Sequence, residues 1–234
     1  MSPLPRAILF DLDDTIINAY SRPDLAWLAV ATELAEAIAP MTPAEASGAI
    51  GGFAVTFWAD ARRHRLNRQD LTTARRQIVA GALPGLPSEA AARLADRFTA
   101  YRDEQMHLYP DAHATIDALK RRGVRLALIT NGDGPGQRAK VERFELAHRF
   151  DHVQIEGEHG FGKPEERAYR HALSALGAQA HEAWMVGDNL EWEVAAPQRL
   201  GIHAIWYDPL EAGLPEGSAV RPDRIIRRLA ELIE

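Results

Sequence analysis

Three acids and a threonine stand together near the amino terminus, in Phe10-Asp11-Leu12-Asp13-Asp14-Thr15. Asp11 and Asp13 are two positions apart, so on an extended chain their side chains lean the same way. Carboxylates held that close repel, and a divalent cation or a shared proton relieves the repulsion. A single Asp here would read as a cap on a turn or helix. Three acids followed by a hydroxyl exceed what a cap needs.

Other polar groups follow apolar runs further along the chain: Thr130-Asn131-Gly132-Asp133, Gly162-Lys163-Pro164 and Gly187-Asp188-Asn189. Taken singly each has a plain reading. Thr130 ends a strand, Lys163 opens a helix in solvent, and Asp188 sits in a turn. Asp14 and Asp133 read as caps or solvated acids, and Glu158 and His159 as residues of a surface loop.

What raises these residues above the plain readings is the set of elements that carry them. Arg6-Ala7-Ile8-Leu9-Phe10 is a short, mostly apolar run that reads as a buried strand ending at Asp11. Beyond Pro110 the pattern alternates. A helix over 112–122 is stopped by Gly123, and strands are expected over 124–129, 153–155, 183–186 and 204–207. Helices fall between them, over 137–144, over 165–176 with Gly177 as its stop, and closing at Leu200-Gly201. A last amphipathic helix is expected over 223–234, with Ile225, Ile226, Leu229, Leu232 and Ile233 on one face. Alternating strands and helices imply a doubly wound α/β fold, a parallel sheet covered on both sides. In such a sheet the strand ends lie along one edge, so polar residues far apart in sequence converge there. Between the first strand and Pro110 the chain is Ala- and Arg-rich, helical in spacing and without a strand. Thr42-Pro43-Ala44-Glu45 has the form of a capping box, and Pro84, Gly85, Pro87 and Ser88 break one helix and start another. The expected domains are therefore 1–20 with 108–234 as an α/β core, and 21–107 as an inserted all-helical domain.

Composition narrows the function classes. The 234 residues hold 33 acids and 27 Lys and Arg, a net charge of −6, so no basic field points to nucleic acid. There is no cysteine, hence no disulfide framework, thiolate metal site or thiol nucleophile. No signal-peptide pattern opens the chain and no apolar run is long enough for a bilayer, so a cytoplasmic protein without membrane partners is expected.

The ordered set Asp11-Leu12-Asp13-Asp14-Thr15, Thr130, Lys163 and Gly187-Asp188 with Glu193 resembles the haloacid dehalogenase superfamily, in its magnesium-dependent phosphatase branch. The resemblance covers roughly residues 4–20 and 108–210, and by position makes the helical insertion a cap of the C1 type on a Rossmann-like core. It implies a hydrolase that uses Mg²⁺ on a small phosphorylated metabolite and passes through an aspartyl-phosphate. In that reading Asp11 is the nucleophile, and Asp13 the acid and then the base. Lys163 neutralises the phosphoryl oxygens, which Thr130 and the Asn131 amide hold. Asp11, Asp188 and the main-chain carbonyl of Asp13 bind the metal, supported by Thr15, Asn189 and Glu193. Glu193 stands where many relatives carry Asp. Phosphate monoesters are inert enough that such enzymes supply accelerations up to ~10²¹-fold, and a carboxylate nucleophile divides the step in two.

Three competitors stay open: a 2-haloacid dehalogenase, a phosphomutase and a non-catalytic binding protein on the same fold. Relatives with dehalogenase activity lack an acid at the place of Asp13, and no motif residue is missing as a lapsed enzyme would allow. Other features point nowhere. Gly132-Asp133-Gly134-Pro135-Gly136 lacks the Lys-Ser/Thr of a P-loop and the spacing of a dinucleotide fingerprint. Arg62-Arg63-His64-Arg65 near Trp58 reads as a solvated helix face ahead of a nucleic-acid patch, with contact to a phosphate-bearing substrate under the cap as the intermediate reading. The nine histidines are scattered with no His-Glu-x-x-His, which gives no reason to expect a zinc centre.

Overall fold

The structure is a computed structural model and describes residues 4–234. The chain divides into two units, Met1–Asn18 with His107–Glu234, and Ala19–Met106.

The first unit is built on eight strands: β1 (Ala7–Phe10), β2 (Ile17–Asn18), β3 (His107–Leu108), β4 (Arg125–Thr130), β5 (His152–Ile155), β6 (Ala183–Gly187), β7 (His203–Tyr207) and β8 (Arg224–Ile226). Six of them form one parallel sheet in the order β5-β4-β1-β6-β7-β8. The strand with the acid cluster thus lies in the middle, with β4 and β6 on its flanks. Its four residues are all fully buried, as expected of a central parallel strand with both faces covered. On one face Ala7, Leu9, Ala127, Ile129, Ala183 and Met185 pack against Tyr169, Ala172, Leu173 and Leu176. Those last four come from the helix Glu166–Leu176, which ends at Gly177 in the left-handed conformation (φ 61°) that glycine adopts without strain. β2 and β3 make a small antiparallel ribbon where the sequence shows no strand signal.

The carboxyl-terminal segment differs from its sequence pattern. The expected helix over 223–234 is instead β8, which adds to β7, followed by a single tight turn at Leu229–Leu232. Ile226 is buried and Ile225 is 46% exposed, the alternation of a strand. Two β-branched residues beside an open edge of β7 outweigh an i, i+3, i+4 pattern only three turns long. Glu231 then fastens the turn by accepting from the Arg227 and Arg228 amides at 3.0 and 2.8 Å.

The second unit is all helical: Pro23–Glu33, Ala35–Ile38, Pro43–Ala59, Ala61–Asn67, Leu71–Ala82 and Ser88–Gln105. It has its own core, including Val30, Ile38, Ile50, Ile78 and Leu94, with Trp27 and Phe98 stacked at 3.6 Å between ring centroids. The capping box forms as the sequence indicates: the Glu45 amide donates to Thr42 Oγ1 at 3.3 Å and the Thr42 amide to Glu45 Oε2 at 2.8 Å. No helix among the described residues is long and apolar enough to cross a membrane.

Candidate active site

β1 carries its ladder one residue past its end, with the Asp11 amide donating to the Val186 carbonyl at 3.0 Å. The chain then winds around Leu12, whose carbonyl accepts from the amides of Ile16 and Ile17 at 3.0 and 3.1 Å. Asp14, at φ 59°, makes this tight return possible. The loop brings Thr15 Oγ1 to 3.2 Å from Asp11 Oδ2, to which it donates.

Lys163 reaches the same point from the loop after β5. Its side chain is 1% exposed, and its amine donates to Asp11 Oδ1 and lies 2.8 Å from Glu193 Oε1. Burying an ammonium is costly unless oppositely charged groups surround it, and here two carboxylates do. The Lys163 backbone is gripped from β4: Asn131 Nδ2 donates to its carbonyl at 2.7 Å and its amide donates to Asn131 Oδ1 at 2.8 Å. The Asn131 side chain therefore positions Lys163, which leaves only its main-chain amide for an anion. Gly162 lets this grip close, since a Cβ there would lie 2.4 Å from Asn131 Oδ1.

After β6, Asn189 caps the next turn, its Oδ1 accepting from the Glu191 and Trp192 amides at 3.0 Å each. The Asn189 amide donates to Glu193 Oε2 at 2.8 Å, so one oxygen of Glu193 is held by backbone and the other faces Lys163. Glu193 passes directly over Gly187, where a Cβ would meet Glu193 Cγ at 2.1 Å. Asp188 is fixed through its carbonyl, which accepts from Trp206 Nε1 on β7 at 2.6 Å. Its carboxylate has no hydrogen bond or ion pair among the described residues.

Asp13 faces elsewhere. Both its oxygens lie 2.8 Å from Lys140 Nζ, and Gln137 Nε2 donates to Oδ2 at 3.0 Å. Gln137 Nε2 also contacts Thr130 Oγ1, linking Asp13 to the end of β4. Gln137 and Lys140 lie on the helix Gly134–Arg143, capped by Asp133 through the Gly136 amide. Sequence reasoning missed this pair. The available signal was their i, i+3 spacing on a helix that starts directly after the Thr130 loop.

The electrostatics follow from burial. Burial comes first in pushing the Asp11 carboxyl up; Lys163 pulls it back, and Asp13 adds to the rise. Glu193 is raised to about 7, again by burial, with Lys163 opposing. Asp188 is raised well above the ordinary carboxylate value by desolvation, then by the charges of Glu193, Asp11 and Asp14. Burial works to lower Lys163, but Asp11 and Glu193 outweigh it and hold the amine charged. Three acids thus lie near one ammonium, which pairs with only two of them, Asp11 and Glu193. An excess of anionic oxygen donors is what a hard divalent cation such as Mg²⁺ takes, whereas soft or imidazole-preferring ions take other donors. The residues fit the group.

The family model of haloacid dehalogenase-like hydrolases matches residues 5–201. This protein belongs to that family. It is 39% identical over 181 residues to a phosphoserine phosphatase of Thermus thermophilus, covering 76% of this chain and 67% of the relative. It is 35% identical over 154 residues to a ribulose-1,5-bisphosphate 5-phosphatase of Halopiger xanaduensis, covering 63% and 64% of the two chains. Among solved structures it is similar to the HAD-hydrolase YfnB of Bacillus subtilis, described as bound to magnesium. That match has a TM-score of 0.72 and 21% identity, and covers 98% of this chain and 97% of that one. The protein is a hydrolase, and its phosphatase relatives place it among phosphoric monoester hydrolases.

Proposed function

We propose that this family member is a Mg²⁺-dependent phosphatase of a small phosphorylated metabolite, with Asp11 as nucleophile. One observation carries the reading: a buried lysine from the β5 loop is clamped to Asp11 and Glu193, with the unpartnered Asp188 carboxylate beside them. Asp11 attacks phosphorus and the bond to the alcohol oxygen breaks. Asp13 gives that oxygen its proton, leaving an aspartyl-phosphate and a carboxylate at Asp13. Asp13 then takes a proton from the water that attacks the phosphoryl group, which restores Asp11 and releases phosphate. Lys163, Thr130 and the Asn131 main-chain amide hold the phosphoryl oxygens as charge builds on them. Asp11, Asp188 and the Asp13 carbonyl would hold Mg²⁺, which supplies charge stabilisation at those oxygens.

Two elements prepare this chemistry. Thr15 orients Asp11 by its hydrogen bond, and the Lys140–Gln137 pair holds Asp13 until substrate arrives. The helical unit, inserted between β2 and β3, is assigned the role of a substrate-selecting cap, and the compartment of action is the cytoplasm. The test is release of phosphate from p-nitrophenyl phosphate, phosphoserine and sugar phosphates, with Mg²⁺ and with chelator. Wild-type enzyme releases phosphate only with Mg²⁺, and Asp11→Asn, with an unchanged unfolding transition, releases none. Turnover by Asp11→Asn would remove Asp11 as nucleophile.

A further inference from the structure

Three histidines separated in sequence meet at one end of the β5 segment. His152 opens β5, His159 closes the short helix Glu156–His159, and His171 lies on the helix Glu166–Leu176. One ring nitrogen from each lies within 4.8 Å of those of the other two. The ring centroids are 5.2 Å apart for His159 and His171, 5.3 Å for His152 and His171, and 6.1 Å for His152 and His159.

The protonation of these rings is set by their neighbours. His171 Nδ1 is 2.8 Å from Gln154 Oε1, and the Gln154 amide is oriented because its Nε2 donates to the Ala168 carbonyl at 3.0 Å. His159 Nδ1 is 3.1 Å from the Ile155 carbonyl. Both partners are oxygens that only accept, so in both rings Nδ1 carries the hydrogen and Nε2 keeps its lone pair. Carbonyl groups orient metal-binding histidines in this same way. His152 Nε2 is buried and has no hydrogen-bond partner. A buried ring nitrogen without a partner is costly, and an ion would satisfy it. Burial and the two neighbouring rings also lower the His152 pKa, which keeps that ring neutral. Phe161 covers the group from one side, its ring 5.8 Å from His159 and 5.5 Å from His171.

We propose that His152, His159 and His171 form a binding site for one divalent transition ion of the zinc type, distinct in its donors from the acid cluster around Asp11. Three neutral imidazoles with a water in the fourth position suit Zn²⁺, Co²⁺ or Ni²⁺ and not Mg²⁺, which demands oxygen. Tetrahedral Zn²⁺ with nitrogen ligands needs them about 3.3 Å apart, so the rings must draw in from their present spacing. His171 is exposed, and its Nδ1 contact to Gln154 is compatible with a small inward shift of Nε2. Ligation would tie β5, the Glu156–His159 helix and the Glu166–Leu176 helix together. Glu156 also accepts from the Gly132 amide at 3.1 Å, and Lys163 follows four residues after His159, so the ion would brace the segment that presents Lys163.

The test is calorimetric titration of metal-stripped full-length protein with Zn²⁺ in saturating Mg²⁺, with Co²⁺ absorption as a readout of the donor set. Wild-type protein binds one Zn²⁺ equivalent and its Co²⁺ form shows the intense visible bands of a four-coordinate nitrogen site. His171→Gln and His159→Gln each weaken Zn²⁺ binding by more than tenfold, while Asp188→Asn leaves it unchanged. His171 is exposed, so its variant keeps the wild-type melting temperature without metal, and loses the rise that Zn²⁺ gives the parent. Absence of Zn²⁺ binding, binding unchanged in both histidine variants, or binding lost in Asp188→Asn would each overturn the proposal. None of these readouts depends on phosphatase activity.

Discussion

Replacing Lys163 by Met removes the one ammonium between Asp11 and Glu193 and keeps most of the buried stem. The cost then depends on what the stranded carboxylates do. A buried carboxylate without a cation can escape its charge by taking a proton, which costs about 1.36 kcal/mol per pH unit above its ordinary pKa. For Asp11, with an ordinary value of 3.8, that ceiling is about 4.4 kcal/mol at pH 7 and about 1.6 kcal/mol at pH 5. Glu193 is already raised to about 7 and adds little below that pH. Removing the buried ammonium also relieves its own desolvation, which offsets part of the loss. Lys163→Met is therefore expected to cost about 2–4 kcal/mol at pH 7 and under about 1 kcal/mol at pH 5. The sign follows from linkage: an acid whose folded pKa is raised binds more protons folded than unfolded, so stability falls as pH rises. Urea unfolding of metal-free wild type and variant at the two pH values measures both numbers. An equal loss at pH 5 and pH 7 would mean that packing of the stem, not charge, is the role of Lys163, and the electrostatic account of the site would fail.

The same linkage applies to the wild type. Without metal it loses stability between pH 4.5 and 7, because the folded protein keeps the Glu193 proton that the unfolded chain releases, by at most about 3 kcal/mol, and Mg²⁺ restores the loss; thermal melts with and without chelator read this. Gly187→Ala places a methyl 2.1 Å from Glu193 Cγ, so Glu193 must leave Lys163; a cost of about 1–3 kcal/mol and a fall in kcat are expected in the same preparation. Asn131→Ala removes both bonds on the Lys163 backbone and is expected to lower kcat at least tenfold, with a stability loss of about 1–3 kcal/mol by chemical denaturation. Thr42→Ala breaks the capping box of the helical unit and costs about 1 kcal/mol in unfolding with kcat on p-nitrophenyl phosphate unchanged.

Much of this was readable because central parallel strands advertise themselves. Ala7–Phe10, Arg125–Thr130 and Ala183–Gly187 are mostly apolar and mostly buried, and each leads into polar residues that the sheet brings to one edge. Other contacts had no such signal. Gln137 and Lys140 lie on an ordinary polar helix, and only the fold turns them toward Asp13. The three histidines sit on a strand, a turn and a helix, so no periodicity relates them, and the sequence offered no reason to group them. Ile225 and Ile226 satisfied a helical pattern as well as a strand, and the free edge of β7 decided between them. Asn131 was assigned to the phosphate by resemblance, and nothing in the sequence announced the further task of its side chain, which grips the Lys163 backbone.

The order of the sheet has a consequence for where this protein can be cut or spliced. The family match stops at residue 201, before β7 and β8. Yet β7 shields the flank of β6, and its Trp206 indole steadies the Asp188 carbonyl. A version trimmed at that boundary would keep every motif residue and lose the wall against which one of them leans. Chimeras with relatives are better joined beyond Ile226, where the last backbone pairing of the sheet is complete.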